Sequence, residues 1–397
     1  MFCCLILPNG LNGQFNLQDY GGNVSMSFKA GSDFIMLNVE FKNVLPLNFI
    51  FDTGSEHTIL FKKEYADLLG VTYDKRIPLM GSDLSKEIYG YIARGIQLNL
   101  DNKYQTVSDV LVLEEDYLRL EEFTGINIDG ILGANIFRHF VVHVSNRRNK
   151  VRFIDIASFN PPNRYEAIDI SVFKNKPYIM AQALLGPDHI PLKLLIDTGA
   201  GLPVLLYTNT HPSLHLPEET LKGNLGRGLG GQLEGYIGRL DGFSFHEYNF
   251  SGIISSFQEI SIEHTEVREL NRNGIFGNGI LRRFDYYIDY AAEKLYVKTN
   301  RRFKRKFKFD KSGLIVIATG RQLRDFVIQG VRDDTPAKEA DIRQGDFLVK
   351  IEGISTNLKT LSSINAILSS KIGRKVTMVI ARGDERLKKK IKLREII

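Results

Sequence analysis

Cysteine is almost absent from this sequence of 397 residues, in which only Cys3 and Cys4 occur. Two adjacent cysteines cannot link distant parts of a fold, so a disulfide framework and a cysteine-ligated zinc site are both excluded. No hydrophobic run approaches the roughly 18 residues that a membrane-spanning helix needs, so we expect no transmembrane segment. With 43% hydrophobic and 25% charged residues, the composition is that of a globular protein, and the length predicts about two to four domains.

The N-terminus has a short apolar run between Met1 and Leu7, without a basic segment before it or a small-residue cleavage site after it. A complete export signal needs all three parts. We interpret the run either as a truncated start or as the remnant of an export signal. Localisation stays open, and only the second interpretation favours the cell envelope or secretion.

Positive charge is concentrated towards the C-terminal end, although the net charge of the chain is only +6. Between Lys298 and Lys311, eight basic residues accompany a single acid. A nucleic-acid binder usually spreads its basic residues over a folded face, often with stacking aromatic residues. We therefore interpret this cluster as a solvated connector and expect no nucleic-acid partner. Contact with an anionic membrane surface is the alternative.

An internal repeat organises the first 300 residues. The segment 46–55 (PLNFIFDTGS) reappears at 191–200 (PLKLLIDTGA), and Gly-Tyr-Ile at 90–92 returns at 235–237 with the same offset of 145 residues. A third block, Asp-Gly-Ile-Leu-Gly from residue 129, returns as Asn-Gly-Ile-Phe-Gly from residue 273. Three blocks in one order are hard to obtain by chance, and the period is far too long for a solenoid. The sequence therefore predicts two duplicated lobes.

Each lobe is predicted to be mostly β. Residues 45–51 and 190–196 are apolar runs with little alternation, which is typical of strands that are covered on both faces. The spacing of apolar residues from Phe61 to Leu69 predicts a helix, and Gly70 marks its end. Hairpin tips are predicted at Gly81–Gly90 and Gly226–Gly235, and closing hairpins at 141–154 and 286–297.

An Asp-Thr-Gly motif follows a buried strand in each lobe, starting at Asp52 and at Asp197. Lobes related by a pseudo-twofold axis would bring these two loops together. Two carboxylates about 3 Å apart cannot both ionise, so they share one proton. One carboxyl group can then act as a base towards water while the other polarises a carbonyl group. This arrangement suits amide hydrolysis without a metal, a cofactor or a covalent nucleophile.

Over roughly residues 20–300 the chain resembles the retropepsin-like and pepsin-like aspartic peptidases. The resemblance rests on the two Asp-Thr-Gly motifs and on an apolar-apolar-glycine signature about 80 residues after each one. These signatures are Ile131-Leu132-Gly133 and Ile275-Phe276-Gly277. The resemblance implies a mostly β, bilobal, acid-protease-like fold with Asp52 and Asp197 as its catalytic dyad.

The same resemblance implies roles for the residues beside the dyad. Thr53 and Thr198 would hydrogen-bond across the lobes, and Gly54 and Gly199 would let the backbone amide and water approach the carboxylates. A flap tyrosine has three candidates, which are Tyr89, Tyr91 and Tyr236.

Two groups of histidines could be mistaken for functional sites. His211 and His215 lie four residues apart near Glu218, a spacing found among zinc ligands on a helix, but Pro212 and Pro217 break the helix that this spacing requires. We therefore expect no metal site. His57, beside the first motif, is interpreted as a surface or packing residue and not as a catalytic base.

The last 90 or so residues change character and resemble a PDZ domain, a small α+β module. Residues 312–316 (SGLIV) match the loop and strand that receive a peptide carboxylate, which assigns peptide binding to Gly313, Leu314, Ile315 and Val316. The stretch 335–346 matches the segment before an apolar strand, with a departure at Ala340-Asp341. An exposed strand edge beside a helix can add a peptide as an extra strand.

The sequence thus predicts an N-terminal tail at 1–19, lobes at 20–157 and 158–300, and a PDZ domain with its basic connector at 301–397. We expect an aspartic endopeptidase that hydrolyses peptide or protein substrates, with a PDZ domain that binds C-terminal peptides and assists recognition. The alternative is a catalytically inactive peptide-binding scaffold that acts through its PDZ domain.

Overall fold

The computed structural model describes residues 23–29, 33–80, 87–100, 104–228, 231–260 and 272–397. The predicted N-terminal tail with its apolar run lies outside the described residues, as do residues 81–86 of the first predicted hairpin tip and 229–230 of the second. Two compact units are formed. The first holds the described residues up to Leu118 together with Asp129–Lys306, and the second holds Arg119–Ile128 together with Phe307–Ile397. Both are mostly β, which confirms the predicted fold class. Within the described residues, no helix is long and apolar enough to cross a membrane.

The first lobe is built on a seven-stranded sheet. The described elements up to residue 155 are β1 (Asn23–Ser27), β2 (Met36–Phe41), β3 (Leu45–Phe51), β4 (Ile59–Leu60), α1 (Lys63–Leu68), β5 (Lys75–Met80), β6 (Glu87–Leu100), β7 (Tyr104–Leu113), α2 (Leu120–Thr124), β8 (Gly130–Leu132), α3 (Ala134–Phe137), β9 (Phe140–Ser145) and β10 (Lys150–Asp155). The sheet has the order β2-β3-β8-β4-β7-β6-β5, and β6 also pairs with β2, so the sheet curls back on itself. Of these elements, α2 alone belongs to the second unit.

The predicted strand and helix of this lobe are both present. β3 is parallel to β8 and antiparallel to β2, and Phe49 and Phe51 on it are fully buried. The predicted helix appears as α1, and the turn after it is made by Gly70 at a φ of +63°. Only glycine adopts this left-handed conformation without strain, which is why the helix ends there.

The second lobe repeats this plan. Its elements, after a 3₁₀ turn at Ile156–Ser158, are β11 (Glu166–Asp169), β12 (Ser171–Phe173), β13 (Lys176–Leu185), β14 (Asp188–Asp197), β15 (Val204–Tyr207), β16 (Thr220–Gly228), β17 (Gly231–Phe245), β18 (Tyr248–Gln258), β19 (Gly274–Gly277), α4 (Asn278–Leu281), β20 (Phe284–Asp289) and β21 (Lys294–Thr299). The strand order β13-β14-β19-β15-β18-β17-β16 matches the first sheet strand for strand, and β17 pairs back with β13 as β6 does with β2.

A third sheet joins the two lobes in the order β1-β10-β9-β20-β21-β11. It contains both predicted closing hairpins, β9 with β10 and β20 with β21. The hairpins meet along β9 and β20, where Val144 lies opposite Tyr286. Aromatic rings pack beneath it, with Phe137 and Phe153 stacked at 6.2 Å. Burial of each such side chain contributes about 1.5–3 kcal/mol.

The second unit contains the PDZ module. Its remaining elements are β22 (Leu314–Thr319), β23 (Asp325–Val331), α5 (Pro336–Glu339), β24 (Phe347–Ile351), β25 (Ile354–Ser355), a 3₁₀ turn (Thr356–Leu358), α6 (Leu361–Leu368), β26 (Lys375–Arg382) and β27 (Glu385–Lys392). The sheet order is β22-β23-β24-β26-β27. Leu361, Ile364 and Leu368 of α6 pack into its core, and Thr360 starts the helix with a capping box to Ser363.

The start of the basic connector is held by the first unit. Nη1 of Arg283 donates to the carbonyl oxygens of Arg302, Phe303 and Arg305 at 3.2, 2.9 and 2.5 Å. The ring of Phe303 also packs 5.5 Å from that of Phe284. The basic side chains at 304–306 are exposed, as a solvated segment requires, but this part of the backbone is fixed. The sequence did not indicate this, because the charge pattern carries no sign of a buried arginine partner.

Candidate active site

Two parallel strand pairs position the two Asp-Thr-Gly motifs. Asp52 directly follows β3, and its backbone amide donates to the carbonyl oxygen of Leu132 on β8 at 3.1 Å. Asp197 is the last residue of β14 and lies opposite Gly277 of β19. Each aspartate is therefore set by the strand that carries the apolar-apolar-glycine signature of its own lobe.

The glycine of each signature is required by a close approach of two backbones. A Cβ atom at Gly133 would lie 2.3 Å from the carbonyl oxygen of His57, and one at Gly277 would lie 2.1 Å from that of Leu202. These distances leave no room for any side chain. The recurrence of glycine in both signatures thus has a steric cause.

Asp52 and Asp197 are brought together, and both are buried, with exposed fractions of 0% and 1%. A Cβ atom at Gly54 would lie 2.7 Å from Cγ of Asp197, and one at Gly199 would lie 2.3 Å from Cγ of Asp52. Each carboxyl group therefore lies against the glycine of the other lobe's motif. Oδ1 of Asp52 also accepts hydrogen bonds from the amides of Gly54 at 2.7 Å and Ser55 at 3.2 Å.

Thr53 and Thr198 fasten the two motifs to each other. The hydroxyl group of Thr53 donates to the carbonyl oxygen of Ile196, and that of Thr198 donates to the carbonyl oxygen of Phe51, both at 2.7 Å. Each threonine amide donates in return to the hydroxyl oxygen of the other threonine, at 3.0 and 3.1 Å. All four bonds cross from one lobe to the other and are buried.

Burial dominates the electrostatics of the pair. It raises the pKa of Asp52 well above the ordinary value of 3.8, and the neighbouring carboxyl group of Asp197 raises it further. Burial also raises the pKa of Asp197, although the Asp52 carboxyl group, the amide of Gly199 and the charge of Arg272 pull it down.

Two residues near the dyad were missed by sequence reasoning. Arg272 is buried, and its charge acts on Asp197. It stands where the first lobe has Ile128, so the arginine at this repeat position was a signal that could have been noticed. Tyr290 is buried next to Phe137, and Asp52 is one of the groups that raise its pKa, after burial and Tyr286. Nothing in the sequence around Tyr290 distinguishes it from a core tyrosine.

Two of the three candidate flap tyrosines, Tyr89 and Tyr91, have contacts with charged side chains. The guanidinium group of Arg76 lies 3.8 Å from the ring centre of Tyr89, and the hydroxyl group of Tyr91 donates to Glu114 at 3.0 Å. The strands of both predicted flap hairpins are paired, β5 with β6 and β16 with β17. Residues 81–86 and 229–230, at their tips, lie outside the described residues.

Among the described residues, the histidines that the sequence singled out belong to no group of three potential metal ligands. His211 and His215 both contact Ser213, through its amide and its carbonyl oxygen. In the described ranges, Glu166, His246 and Glu247 are the one group of three potential metal ligands with ligand atoms within 4.8 Å, and all three are exposed. His57 is buried, which lowers its pKa to about 4 together with the charges of Lys176 and Arg138.

The predicted peptide-binding residues of the PDZ module lie at the start of β22. The amide of Gly313 donates to Oδ2 of Asp310 at 2.6 Å, and that of Leu314 donates to Oγ of Ser312 at 3.1 Å. The side chain of Val316 points into the core, and that of Ile315 is half-buried. The two amides at the head of the strand are thus already bonded within the loop.

Two family models match separate parts of this chain. The family model described as aspartyl protease matches residues 37–136, and the one described as PDZ domain matches residues 304–393. A search of curated proteins found no match. Among solved structures, a photosystem II D1 C-terminal processing protease is similar, with 18% identity and a TM-score of 0.22 over 24% of this chain and 26% of that one. The chain therefore carries an aspartyl protease-like region followed by a PDZ domain.

Proposed function

We propose that this protein is an aspartic endopeptidase in which Asp52 and Asp197 are the catalytic dyad. The observation that carries the proposal is the burial of two carboxyl groups from separate lobes, each against the glycine of the other's motif. The family match to residues 37–136 supports the assignment for the first lobe, and it ends before the second Asp-Thr-Gly.

In the proposed mechanism the two carboxyl groups share one proton. Burial raises the pKa of both carboxyl groups, and their mutual repulsion keeps one proton on the pair. The ionised member of the pair takes a proton from water as the water attacks the substrate carbonyl, and the protonated member donates a hydrogen bond to the carbonyl oxygen. The buried carboxyl oxygens of the pair supply the needed acceptors.

The matching strand orders of the two lobes support an origin by internal duplication and a retropepsin-like design within one chain. In this proposal, the lobes at 20–157 and 158–300 supply one aspartate each. Substrate lies extended between them, as in the resembled family. The PDZ domain contributes recognition of peptide or protein partners.

The test is turnover of an internally quenched peptide library by the wild type and by Asp52→Asn and Asp197→Asn. Each substitution is expected to lower turnover by about 10³-fold, since general acid–base groups contribute 10²–10⁴-fold. Neither should lower the melting temperature at neutral pH, because asparagine has nearly the shape of a protonated aspartate and neither substitution adds a buried charge. The matched control is Asp74→Asn, which neutralises an exposed carboxylate paired with Arg94 and should leave turnover unchanged.

Substantial turnover in either dyad variant would contradict the mechanism and favour the scaffold alternative. The two substitutions together should cost no more than either alone, since members of one catalytic unit fail together. Chelators and thiol alkylation should leave turnover intact.

A further inference from the structure

The peptide groove of the PDZ module runs between β22 and α6. β22 lies at the edge of its sheet, and its one strand partner among the described residues is β23. The other edge of β22 therefore has the position at which a peptide would add as a strand beside the helix. One part of this chain lies between β22 and α6, and another lies at the loop that leads into β22.

Residues 119–128 are the first part. They branch off after Leu118 and end at Asp129, yet they belong to the compact unit of the PDZ module, where α2 lies against β22. Gly125 touches both walls of the groove. A Cβ atom at Gly125 would lie 2.9 Å from Cβ of Leu361, at the start of α6, and 3.7 Å from Cβ of Ala318 on β22.

Glycine is required at position 125 for two separate reasons. The φ angle of +67° is left-handed, which side-chain-bearing residues rarely adopt. In addition, any Cβ atom would collide with Leu361. Residues 119–128 can therefore pack between β22 and α6 only because residue 125 is glycine.

The carboxylate of Asp310 is the second part. Its Oδ1 accepts bonds from the amide and the hydroxyl group of Ser312 at 3.1 and 2.6 Å, and its Oδ2 accepts one from the amide of Gly313 at 2.6 Å. Backbone amides of this loop are what a PDZ domain offers to the terminal carboxylate of a peptide. Asp310 therefore occupies donors that an incoming carboxylate would need.

We propose that this PDZ groove is closed by its own chain, and that a protein C-terminus ending in an apolar residue opens it by displacing residues 119–128 and the Asp310 carboxylate. The internal ligand is tethered, so it competes at high effective concentration. The apparent affinity for an external peptide is reduced by the fraction of molecules that are closed. This inference concerns binding and does not depend on peptidase activity.

The test uses the full chain with Asp52→Asn, so that no probe is cleaved. The probes are fluorescein-labelled octapeptides that end in Ala, Val, Leu, Ile or Phe, each with a twin that ends in an amide. Gly125→Val should raise the affinity for at least one carboxylate-ended probe by about tenfold, which corresponds to a groove closed in about nine molecules of ten. Gly70→Val is the matched control, because Gly70 has a φ of +63° and nothing lies within 4 Å of its added Cβ atom.

A second readout needs no variant in the groove. Hydrogen–deuterium exchange of the Asp52→Asn protein is measured with and without the saturating probe of highest affinity. Displacement predicts faster exchange at 119–128 and slower exchange along β22. Slower exchange in both would show that the probe binds beside the segment, which overturns the proposal. Absence of binding by every probe, in the Gly125→Val protein as well, overturns it too.

A separate experiment tests whether the Asp310 carboxylate competes with the terminal carboxylate of a peptide. Asp310→Ala should raise the affinity for carboxylate-ended probes several-fold and leave that of the amide-ended twins unchanged. Asp333→Ala, which removes an exposed carboxylate paired with Lys338, is the control. An equal change for both kinds of probe would show that Asp310 only shapes the loop.

Discussion

The amide of Thr53 donates to the hydroxyl oxygen of Thr198, and the amide of Thr198 returns a bond to the hydroxyl oxygen of Thr53. Neither lobe can satisfy these buried groups alone. The contact that joins the lobes is also the contact that fixes the two aspartates one residue away. A substitution that removes these threonine hydrogen bonds is therefore expected to lower the stability of the fold and to disturb the geometry of the active site.

Thr53→Val should lower the free energy of unfolding by about 1–3 kcal/mol, because it leaves the buried amide of Thr198 without an acceptor. Thr198→Val should have a similar effect, and the double variant should cost less than the sum, since both belong to one network. Urea unfolding measures each value. Thr53→Ser keeps the hydroxyl group and should be close to wild type. An equal loss in the serine variant would assign the effect to the methyl group.

Gly199→Ala should lower turnover by about 10²-fold, because its Cβ atom would displace the Asp52 carboxyl group and a shift of about 1 Å at a catalytic group has that effect. Gly54→Ala should act in the same way on Asp197. The measurement is kcat/KM on a quenched peptide, with near-ultraviolet circular dichroism as the check on folding. Gly330→Ala, where the added atom would meet the side chain of Ile315 at 3.4 Å or more, is the matched control and should be unaffected. Full activity of Gly199→Ala would mean that the catalytic dyad tolerates a displacement of the Asp52 carboxyl group.

The pH dependence of turnover should reflect the raised pKa of Asp52. The active form holds one proton on the pair, and burial together with Asp197 keeps that proton in place well above pH 3.8. Activity should therefore extend towards neutral pH and fall only when the shared proton is lost. A profile of kcat/KM from pH 3 to 9 tests this. A basic limb near pH 4 would show that the dyad titrates like exposed carboxyl groups.

His143 should make the fold sensitive to acid. Its ring stacks on Tyr287 at 4.0 Å, and burial lowers its pKa to about 4, with the charges of Arg152 and Arg148 adding to the effect. The unfolded chain, with a histidine pKa near 6.5, binds the proton more readily. The stability that His143 contributes is thus fully present above pH 6.5 and is lost as the pH falls towards 4.

His143→Phe keeps the stacking and removes the titration. The free energy of unfolding of the wild type should fall between pH 7 and 4.5 more steeply than that of the variant, by at most about 3 kcal/mol, since one pKa unit corresponds to about 1.4 kcal/mol. Parallel curves for both proteins would assign the acid sensitivity to other groups, of which buried His57 is the next candidate.

The repeated motifs and the elements that end at a turn residue could be predicted from the sequence. The duplicated motifs located Asp52 and Asp197 on strands that do end side by side, and Gly70 located the end of α1. The PDZ module followed from the resemblance of residues 312–316 and 335–346 to that family. These features depend on local patterns, which a single sequence carries.

The features that were not predicted depend on distant partners. Residues 119–128 have the pattern of an ordinary short helix, and nothing in that pattern says that Gly125 meets Leu361, which is 236 positions away. Arg283 likewise gave no sign that it would bind the carbonyl groups of the connector. The bonds of Asp310 to residues 312 and 313 are local, but a carboxylate near a PDZ loop has too many possible partners for sequence alone to choose one.

The sheet shared by the two lobes has a consequence for synthesis of the protein. Val144 on β9 pairs with Tyr286 on β20, which emerges from the ribosome 142 residues later. At about 5–20 residues per second, β9 waits roughly 7 to 30 seconds for its neighbour. During that interval one edge of an apolar strand lies open to pairing with other nascent chains. The length of the second lobe therefore sets how long a newborn molecule is at risk of aggregation.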